Sequence, residues 1–194
     1  MKKLIGILGA PSSGKSTFSM ELTAYLKKIP EFCSTQLIIE YARTYIEENG
    51  GTPPTTVYEQ YFLMSETLKK TDMASEIYDY VITDGAAWCS YFFALFASRF
   101  DTECDLKFLD KAHRMLMKDI LRYDKFYLLH PNQTHKIDDG IRVSNYESYL
   151  KIYSSLKGML DAFRVDYEDL EVNFDRQKKI KEIKDYMLEG DEDE

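Results

Sequence analysis

Short apolar runs alternate with amphipathic stretches along the whole chain. The apolar runs are typical of buried strands and lie at residues 4–8, 37–39, 80–83, 126–129 and 164–167. Between them, apolar residues recur every three or four positions, which predicts helices over 16–28, 41–48, 57–77, 86–100, 106–122, 146–163 and 176–188. Strands that alternate with helices predict an α/β fold, a three-layer sandwich around a mostly parallel five-stranded sheet.

Composition favours a single folded unit. The chain has 194 residues, of which 44% are hydrophobic and 30% charged, near the averages of globular domains. We expect one domain over residues 1–188 and an acidic, disordered tail over 189–194. No apolar run approaches the roughly 20 residues of a membrane span. Cys33, Cys89 and Cys104 are too widely spaced for a disulfide framework or a zinc site, so a cytoplasmic location is expected.

The net charge of −8 is unevenly distributed. Five of the last six residues are acidic, and without them 28 acidic residues face 25 basic ones. The negative charge therefore does not exclude a nucleic-acid partner. Nothing in the sequence indicates an oligomeric state.

A glycine-rich segment carries the most specific chemical signal. It follows the first predicted strand and opens the first predicted helix, as the pattern G-x-x-x-x-G-K-[ST] requires. Its backbone N–H groups suit phosphate oxygens, Lys15 suits the β- and γ-phosphates, and the Ser16 hydroxyl suits Mg²⁺. The segment predicted to bind ATP consists of Gly9, Ala10, Pro11, Ser12, Ser13, Gly14, Lys15, Ser16 and Thr17.

Asp84 ends the third predicted strand, where parallel sheets present ligand-binding groups. A carboxylate at this position can hold Mg²⁺, alongside Ser16, or take part in catalysis. The alternative is that Asp84 caps the helix that starts at Ala86.

Glu40 ends the second predicted strand and is a candidate for accepting the proton of an attacking hydroxyl. The alternative is a carboxylate that only faces the dipole of the following helix. Arg43, one turn further, is a candidate for neutralising the charge of the substrate or the transition state. It is equally suited to pair with Glu47 at i,i+4. The sequence does not decide whether Glu40 or Asp84 is the base.

Arg142 follows the fourth predicted strand within a polar stretch that includes Asp138, Asp139 and Gly140. Kinases close a positive group over the phosphoryl group that they transfer, and a Gly-x-Arg sequence in a loop suits that role. The alternative is an ordinary surface loop.

These motifs occur in the order of a known group. The phosphate loop, Glu40-Tyr41-Ala42-Arg43, Thr83-Asp84 and Asp139-Gly140-Ile141-Arg142 together resemble the ribosylnicotinamide-kinase domain of NadR-type proteins and related AAA-type P-loop kinases of bacteria and phages. The resemblance implies a nucleoside-kinase-like P-loop fold. It also implies phosphoryl transfer from ATP–Mg²⁺ to a hydroxyl of a nucleoside- or nucleotide-type acceptor. Lys15 and Ser16 would serve ATP–Mg²⁺, Asp84 and Glu40 would serve the metal and the acceptor, and Arg142 would be the lid arginine. No adenylyltransferase domain precedes the loop, so the kinase activity alone is expected of this chain.

Two alternatives remain open at this stage. Related phage kinases phosphorylate hydroxymethyl-pyrimidine bases within DNA, which requires aromatic side chains for stacking and a basic track. The aromatic candidates are Trp88, Tyr91, Phe92, Phe93 and Phe96, and the basic candidates lie on the helices over 106–122 and 176–188. The second alternative is a regulatory NTPase without an acceptor.

Overall fold

A five-stranded parallel sheet forms the middle layer of the protein. The computed structural model describes residues 2–98, 102–132 and 146–188. Within them the strands are β1 (Lys3–Gly9), β2 (Thr35–Ile38), β3 (Tyr80–Asp84), β4 (Lys125–Leu129) and β5 (Tyr167–Leu170). They lie in the order β2-β3-β1-β4-β5, and all four pairings are parallel. The expected fold class is therefore confirmed.

Helices cover both faces of this sheet. They are α1 (Lys15–Leu26), α2 (Tyr41–Glu48), α3 (Val57–Ile77), α4 (Ala86–Ala97), α5 (Glu103–Ile120), α6 (Tyr146–Ala162) and α7 (Arg176–Leu188). Helices α1 and α7 pack on one face, and α3, α4, α5 and α6 supply the core of the other. The two cores follow from the alternation of side chains along a strand, since Ile5 and Ile7 of β1 join the first core and Leu8 joins the second.

The order of the strands positions the site. Strand β1 is central, with β3 and β2 on one side and β4 and β5 on the other. Because all the strands run in the same direction, the residues that follow β1, β2 and β3 lie together at the carboxyl ends of the strands. Three segments distant in sequence are thereby brought together.

Three strands extend their predicted ranges by a residue at one or both ends, and the other two are displaced along the chain. The fifth strand was predicted over 164–167, but α6 ends at Ala162 and Arg164 follows it in a left-handed conformation (φ 55°), while the Val165 N–H donates to the Leu160 carbonyl. Because residues 163–165 still belong to the turn that follows the helix, β5 begins only at Tyr167. The second strand is Thr35–Ile38 rather than 37–39, and Ile39 is half exposed because β2 lies at the edge of the sheet.

Several predictions fall outside the described residues. They concern Arg142 with its surrounding loop, and the acidic tail over 189–194. Among the helices that the structure describes, none is both long and apolar enough to cross a membrane.

Candidate active site

The segment between β1 and α1 is a tight loop with two residues in the left-handed region. Gly14 is left-handed (φ 83°), Ser12 has a φ of 61°, and the Ser13 N–H donates to the Ala10 carbonyl at 3.2 Å. A Cβ atom at Gly9 would lie 2.4 Å from the Ser13 hydroxyl, so no side chain fits there. The α1 helix begins at Lys15, and its first N–H groups add to the positive end of the helix dipole. The loop therefore has the form of a phosphate-binding site.

Lys15 lies at the centre of the site. Its side chain is buried, and its Nζ is 2.8 Å from the Glu40 carboxylate, which follows β2. Burial opposes the positive charge of Lys15, but the carboxylates of Glu40 and Asp84 outweigh burial and raise the pKa of Lys15. The lysine is thus a fixed positive charge, held by groups from two neighbouring strands.

Asp84, the last residue of β3, is near enough to this pair for its charge to act on Lys15. Only 3% of its surface is exposed, and its Oδ1 has no hydrogen-bond partner among the described residues. Burial raises the pKa of Asp84, and Glu40 adds to this effect, while the positive charge of Lys15 and the neighbouring Ser16 hydroxyl oppose it. The α4 helix has no side-chain cap and begins after left-handed Gly85, so the capping alternative for Asp84 is wrong.

Ser16 and Asp84 together fit a small divalent cation. They offer a hydroxyl and a carboxylate oxygen, the ligand types that Mg²⁺ prefers, and the orphaned Oδ1 is a buried acceptor without a donor. Mg²⁺ commonly takes one or two protein ligands and completes its shell with phosphate oxygens and water. Within the described residues, no group of three His, Cys, Asp or Glu side chains is arranged to hold a metal ion.

The side chain of Glu40 lies against Gly85, the residue that follows Asp84. A Cβ atom on Gly85 would lie 3.2 Å from the Glu40 carboxyl carbon, so the absence of a side chain at Gly85 makes room for Glu40. Glu40 occupies the N-cap position of α2 but caps no backbone group. Its side chain is about one-quarter exposed, in contrast to that of Asp84, and can therefore meet a second molecule.

Arg43 lies one turn into α2 and is exposed. Its charge acts on Asp84, whose pKa it lowers, and no ion pair joins Arg43 to Glu47 in this part of the structure. Arg43 is therefore an exposed positive charge near enough to Asp84 to favour its ionised form.

The aromatic residues after Asp84 form the core rather than a surface. Trp88, Tyr91 and Phe92 are buried against the sheet, and Trp88 also packs edge-on against Phe163 of the α6 end. Only Phe96, at the far end of α4, is widely exposed among the five candidates.

The basic candidates on α5 and α7 are largely neutralised by neighbouring acids. Lys107 pairs with Glu103, Arg114 with Asp110, and Lys178 and Lys179 with Glu182. These pairs reduce the positive charge that the two helices could offer to a nucleic-acid backbone. Arg176, at the start of α7, differs from the others because its guanidinium lies beside Gly14 of the phosphate loop. The sequence places it only within a basic helix face, and its position depends on how α7 docks on α1.

Comparisons with known proteins bear on the family and the fold of the chain. A family model described as an AAA domain matches residues 4–177. A search of curated proteins found no match.

Solved structures give the fold in more detail. A NadR protein in complex with NR superimposes with a TM-score of 0.74 at 20% identity, covering 96% of this chain and 52% of that chain. A deoxyadenosine kinase from M. mycoides has a TM-score of 0.62 at 15% identity, covering 96% and 99%. A thymidylate kinase from Candida albicans has a TM-score of 0.64 at 14% identity, covering 97% and 92%. The chain thus spans about half the length of the NadR chain that it matches, and the three likenesses show a shared fold.

Proposed function

Because the chain belongs to the AAA domain family, we propose that it is a P-loop kinase that transfers the γ-phosphoryl group of ATP to a hydroxyl of a nucleoside- or nucleotide-type acceptor. One observation carries the proposal. Lys15, Glu40 and Asp84 follow or end three adjacent strands, with Lys15 and Glu40 2.8 Å apart and Asp84 Oδ1 buried without a partner. A nucleotide-binding module needs the loop and a metal ligand, but it has no need of a partly exposed carboxylate beside Lys15.

The roles of the three side chains follow from their exposure. Lys15 would contact the β- and γ-phosphates and neutralise the charge that builds up on the transferred group. Glu40 is the more exposed carboxylate and would accept the proton of the acceptor hydroxyl as its oxygen attacks the γ-phosphorus. The bond from the γ-phosphorus to the bridging oxygen breaks, and ADP leaves with that bond's electron pair.

Asp84 is too buried to meet the acceptor and would instead serve the metal site with Ser16. A bound Mg²⁺ would supply charge neutralisation on the phosphate oxygens. Asp84 would orient the Ser16 hydroxyl and keep a carboxylate oxygen available beneath the loop. Arg43 would add positive charge on the acceptor side, and Arg142 stays a prediction for the lid.

The acceptor class is supported by the likeness in fold. The structures that superimpose include a NadR protein bound to NR, a deoxyadenosine kinase and a thymidylate kinase. Acceptor hydroxyls in DNA have less support, because Trp88, Tyr91 and Phe92 are buried and several basic residues of α5 and α7 are paired with acids.

The test is an acceptor screen with γ-labelled ATP and Mg²⁺ over nucleosides, nucleotides and duplexes that contain hydroxymethylated bases. We expect label on a nucleoside-type compound and none on the duplex. Lys15→Ala should abolish transfer, whereas Lys28→Ala, on the exposed turn after α1, should not. Label on the duplex alone would show that the acceptor is a base in DNA and not a nucleoside-type compound. Slow hydrolysis of ATP with no labelled acceptor would favour a regulatory NTPase. Full transfer by a folded Lys15→Ala protein would overturn the proposal.

A further inference from the structure

Helix α3 presents a row of large apolar side chains to solvent. Four of its residues are more than one-third exposed, and with one acid and one base between them they recur at intervals of four, four, three, four and four positions. This spacing places all six on one side of the helix. Single exposed apolar residues are ordinary, but a row of large ones on one helix indicates a surface that binds another molecule. We call this row the α3 face, and it consists of Tyr58, Phe62, Glu66, Lys69, Met73 and Ile77.

Neighbouring helices hold the aromatic residues of the α3 face without covering them. The Phe62 ring lies 6.2 Å from that of Tyr41 and 6.3 Å from that of Tyr45, and the Tyr58 ring lies 5.2 Å from that of Phe108. The opposite side of α3 is buried against the core, so the helix cannot turn its exposed face inward. The two aromatic residues are thus positioned before any partner arrives, which lowers the entropic cost of association.

The apolar residues lie symmetrically about the midpoint of the row. Phe62 and Met73 are equally far from that midpoint, and Tyr58 and Ile77 are equally far from it near the ends. A two-fold axis at the midpoint, perpendicular to the helix, would therefore bring Phe62 of one copy to Met73 of the other, and Tyr58 to Ile77. In each contact an aromatic ring would meet an adaptable thioether or an aliphatic side chain. Rows of residues four apart are also the ridges that pack in the commonest class of helix crossing.

The middle of the α3 face is balanced in charge. Glu66 and Lys69 lie next to the midpoint, so two copies of the face would bring together two acids and two bases. The next base, Lys70, lies over the ring of Tyr41 at 4.1 Å and belongs to the contact between α2 and α3. A face with this balance does not repel its own copy, and it offers no single sign of charge to an acidic or basic partner.

We propose that the α3 face is the interface of a homodimer, in which two antiparallel copies of α3 cross about a two-fold axis. Such an interface uses the same surface on both chains, and the symmetric placement of the apolar residues provides this self-complementarity. None of the residues assigned to phosphoryl transfer belongs to the α3 face. The inference is therefore independent of the proposed function, and failure of the acceptor screen leaves it untouched.

Sedimentation velocity of the full chain from about 1 to 100 µM tests the proposal, and we expect the mass of two chains. Met73→Glu should raise the dissociation constant of the dimer at least about 100-fold, because a symmetric interface buries the new charge twice. Met20→Glu is the matched control. Met20 is 50% exposed against 56% for Met73, but it lies on α1, which covers the opposite face of the sheet. This variant should remain a dimer.

A charge reversal tests the two-fold arrangement itself. Glu66→Lys should weaken the dimer about tenfold or more, because four bases would then surround the axis. Combining it with Lys69→Glu exchanges the two charges and restores their balance, so the double variant should recover most of the wild-type affinity.

A wild-type chain that stays monomeric over the whole concentration range would overturn the proposal. So would a dimer that survives Met73→Glu, a dimer that Met20→Glu dissociates, or a double variant no tighter than Glu66→Lys alone. Thermal melting of each variant shows that it is folded. If Met73→Glu does not fold, Ile77→Glu makes the same test at a more exposed position at the end of α3.

Discussion

Lys15 and Glu40 form an ion pair of 2.8 Å at the position where the phosphate loop meets the end of β2. The same Lys15 charge is the one proposed to neutralise the γ-phosphate, and the same Glu40 carboxylate is the proposed base. Each charged group is therefore the ion-pair partner of the other until a nucleotide binds. Arrival of a triphosphate would draw Lys15 toward its oxygens and repel Glu40, which frees the carboxylate for the acceptor.

The first prediction concerns Glu40→Gln. The amide keeps the shape of the side chain and its fit against Gly85 but removes the charge that competes for Lys15. We expect nucleotide to bind about three- to tenfold more tightly, because no ion pair has to be broken. We expect kcat to fall by about 10²- to 10⁴-fold, because the base is lost. Calorimetry with ADP and a transfer assay measure the two effects.

Glu47→Gln is the matched control for that variant, because Glu47 is an exposed acid on the same α2 helix. It should leave both quantities unchanged. Turnover at the wild-type level in Glu40→Gln would show that another group takes the proton, and weaker nucleotide binding would show that the ion pair does not compete.

The second prediction concerns Asp84→Asn. Because burial raises the pKa of Asp84, the ionised carboxylate lowers the stability of the native state as pH rises above the ordinary aspartate pKa. The asparagine removes this penalty, so the variant should melt no lower than the wild-type protein at pH 8 in EDTA. Transfer should fall by about 10²-fold or more, and the Mg²⁺ concentration for half-maximal activity should rise about tenfold.

Asp79→Asn serves as its control, since this exposed acid lies just before β3 at the opposite edge of the sheet. It should alter neither the melting temperature in EDTA nor the Mg²⁺ requirement. An Asp84→Asn protein with an unchanged Mg²⁺ requirement would remove Asp84 from the metal site.

The parts of the site that lie next to one another in sequence were the easiest to predict. The phosphate loop is contiguous, and Asp84 and Glu40 each end or follow an apolar run, which indicates the carboxyl edge of a parallel sheet. Such local patterns do not indicate how the last helix docks. Arg176 reaches Gly14 through the packing of Phe174 on Phe18, a contact between residues far apart in the chain.

Local sequence patterns also failed to locate strand β5 correctly. Its residues include Glu168 and Asp169, which do not form an apolar run. They are accommodated because β5 is an edge strand, where Glu168 pairs with Lys179 and Asp169 with Lys157, each at 2.5 Å. The sequence pattern placed the strand at the apolar Val165 instead, where the chain is still leaving α6.

The third prediction uses two glycines with nearly the same φ angle. Gly85 (φ 89°) and Gly51 (φ 86°) are both left-handed, so an alanine at either position should cost roughly 1 kcal/mol in the free energy of unfolding. A Cβ atom at Gly85 would press on Glu40 at 3.2 Å, whereas one at Gly51 would meet nothing within 4 Å. Transfer activity should therefore fall in Gly85→Ala and persist in Gly51→Ala.

Chemical denaturation and the transfer assay, run on both variants, test this difference. Because the cost to the backbone is matched, any difference in activity reports the contact with Glu40. Equal activities in the two variants would show that the position of Glu40 is not controlled by the space at Gly85.

The last prediction concerns the pH dependence of stability. Asp119 on α5 is 3% exposed, and burial raises its pKa to about 7, with Asp72 adding to the effect and Arg122 opposing it. The folded state therefore binds a proton that the unfolded state has released between about pH 4 and pH 7. Over that range the free energy of unfolding should fall as pH rises, by at most about 1.4 kcal/mol per pH unit from this group.

Asp119→Asn should flatten that dependence and make the protein more stable than wild type at pH 8, because a neutral side chain carries no ionisation penalty. Urea denaturation at pH 5, 6, 7 and 8 measures the slope for each protein. Asp110→Asn, an exposed position on the same helix that pairs with Arg114, should keep the wild-type slope. If Asp119→Asn instead destabilises the protein equally at every pH, the ion pair of Asp119 with Arg122, at 3.3 Å, outweighs the cost of burying the charge.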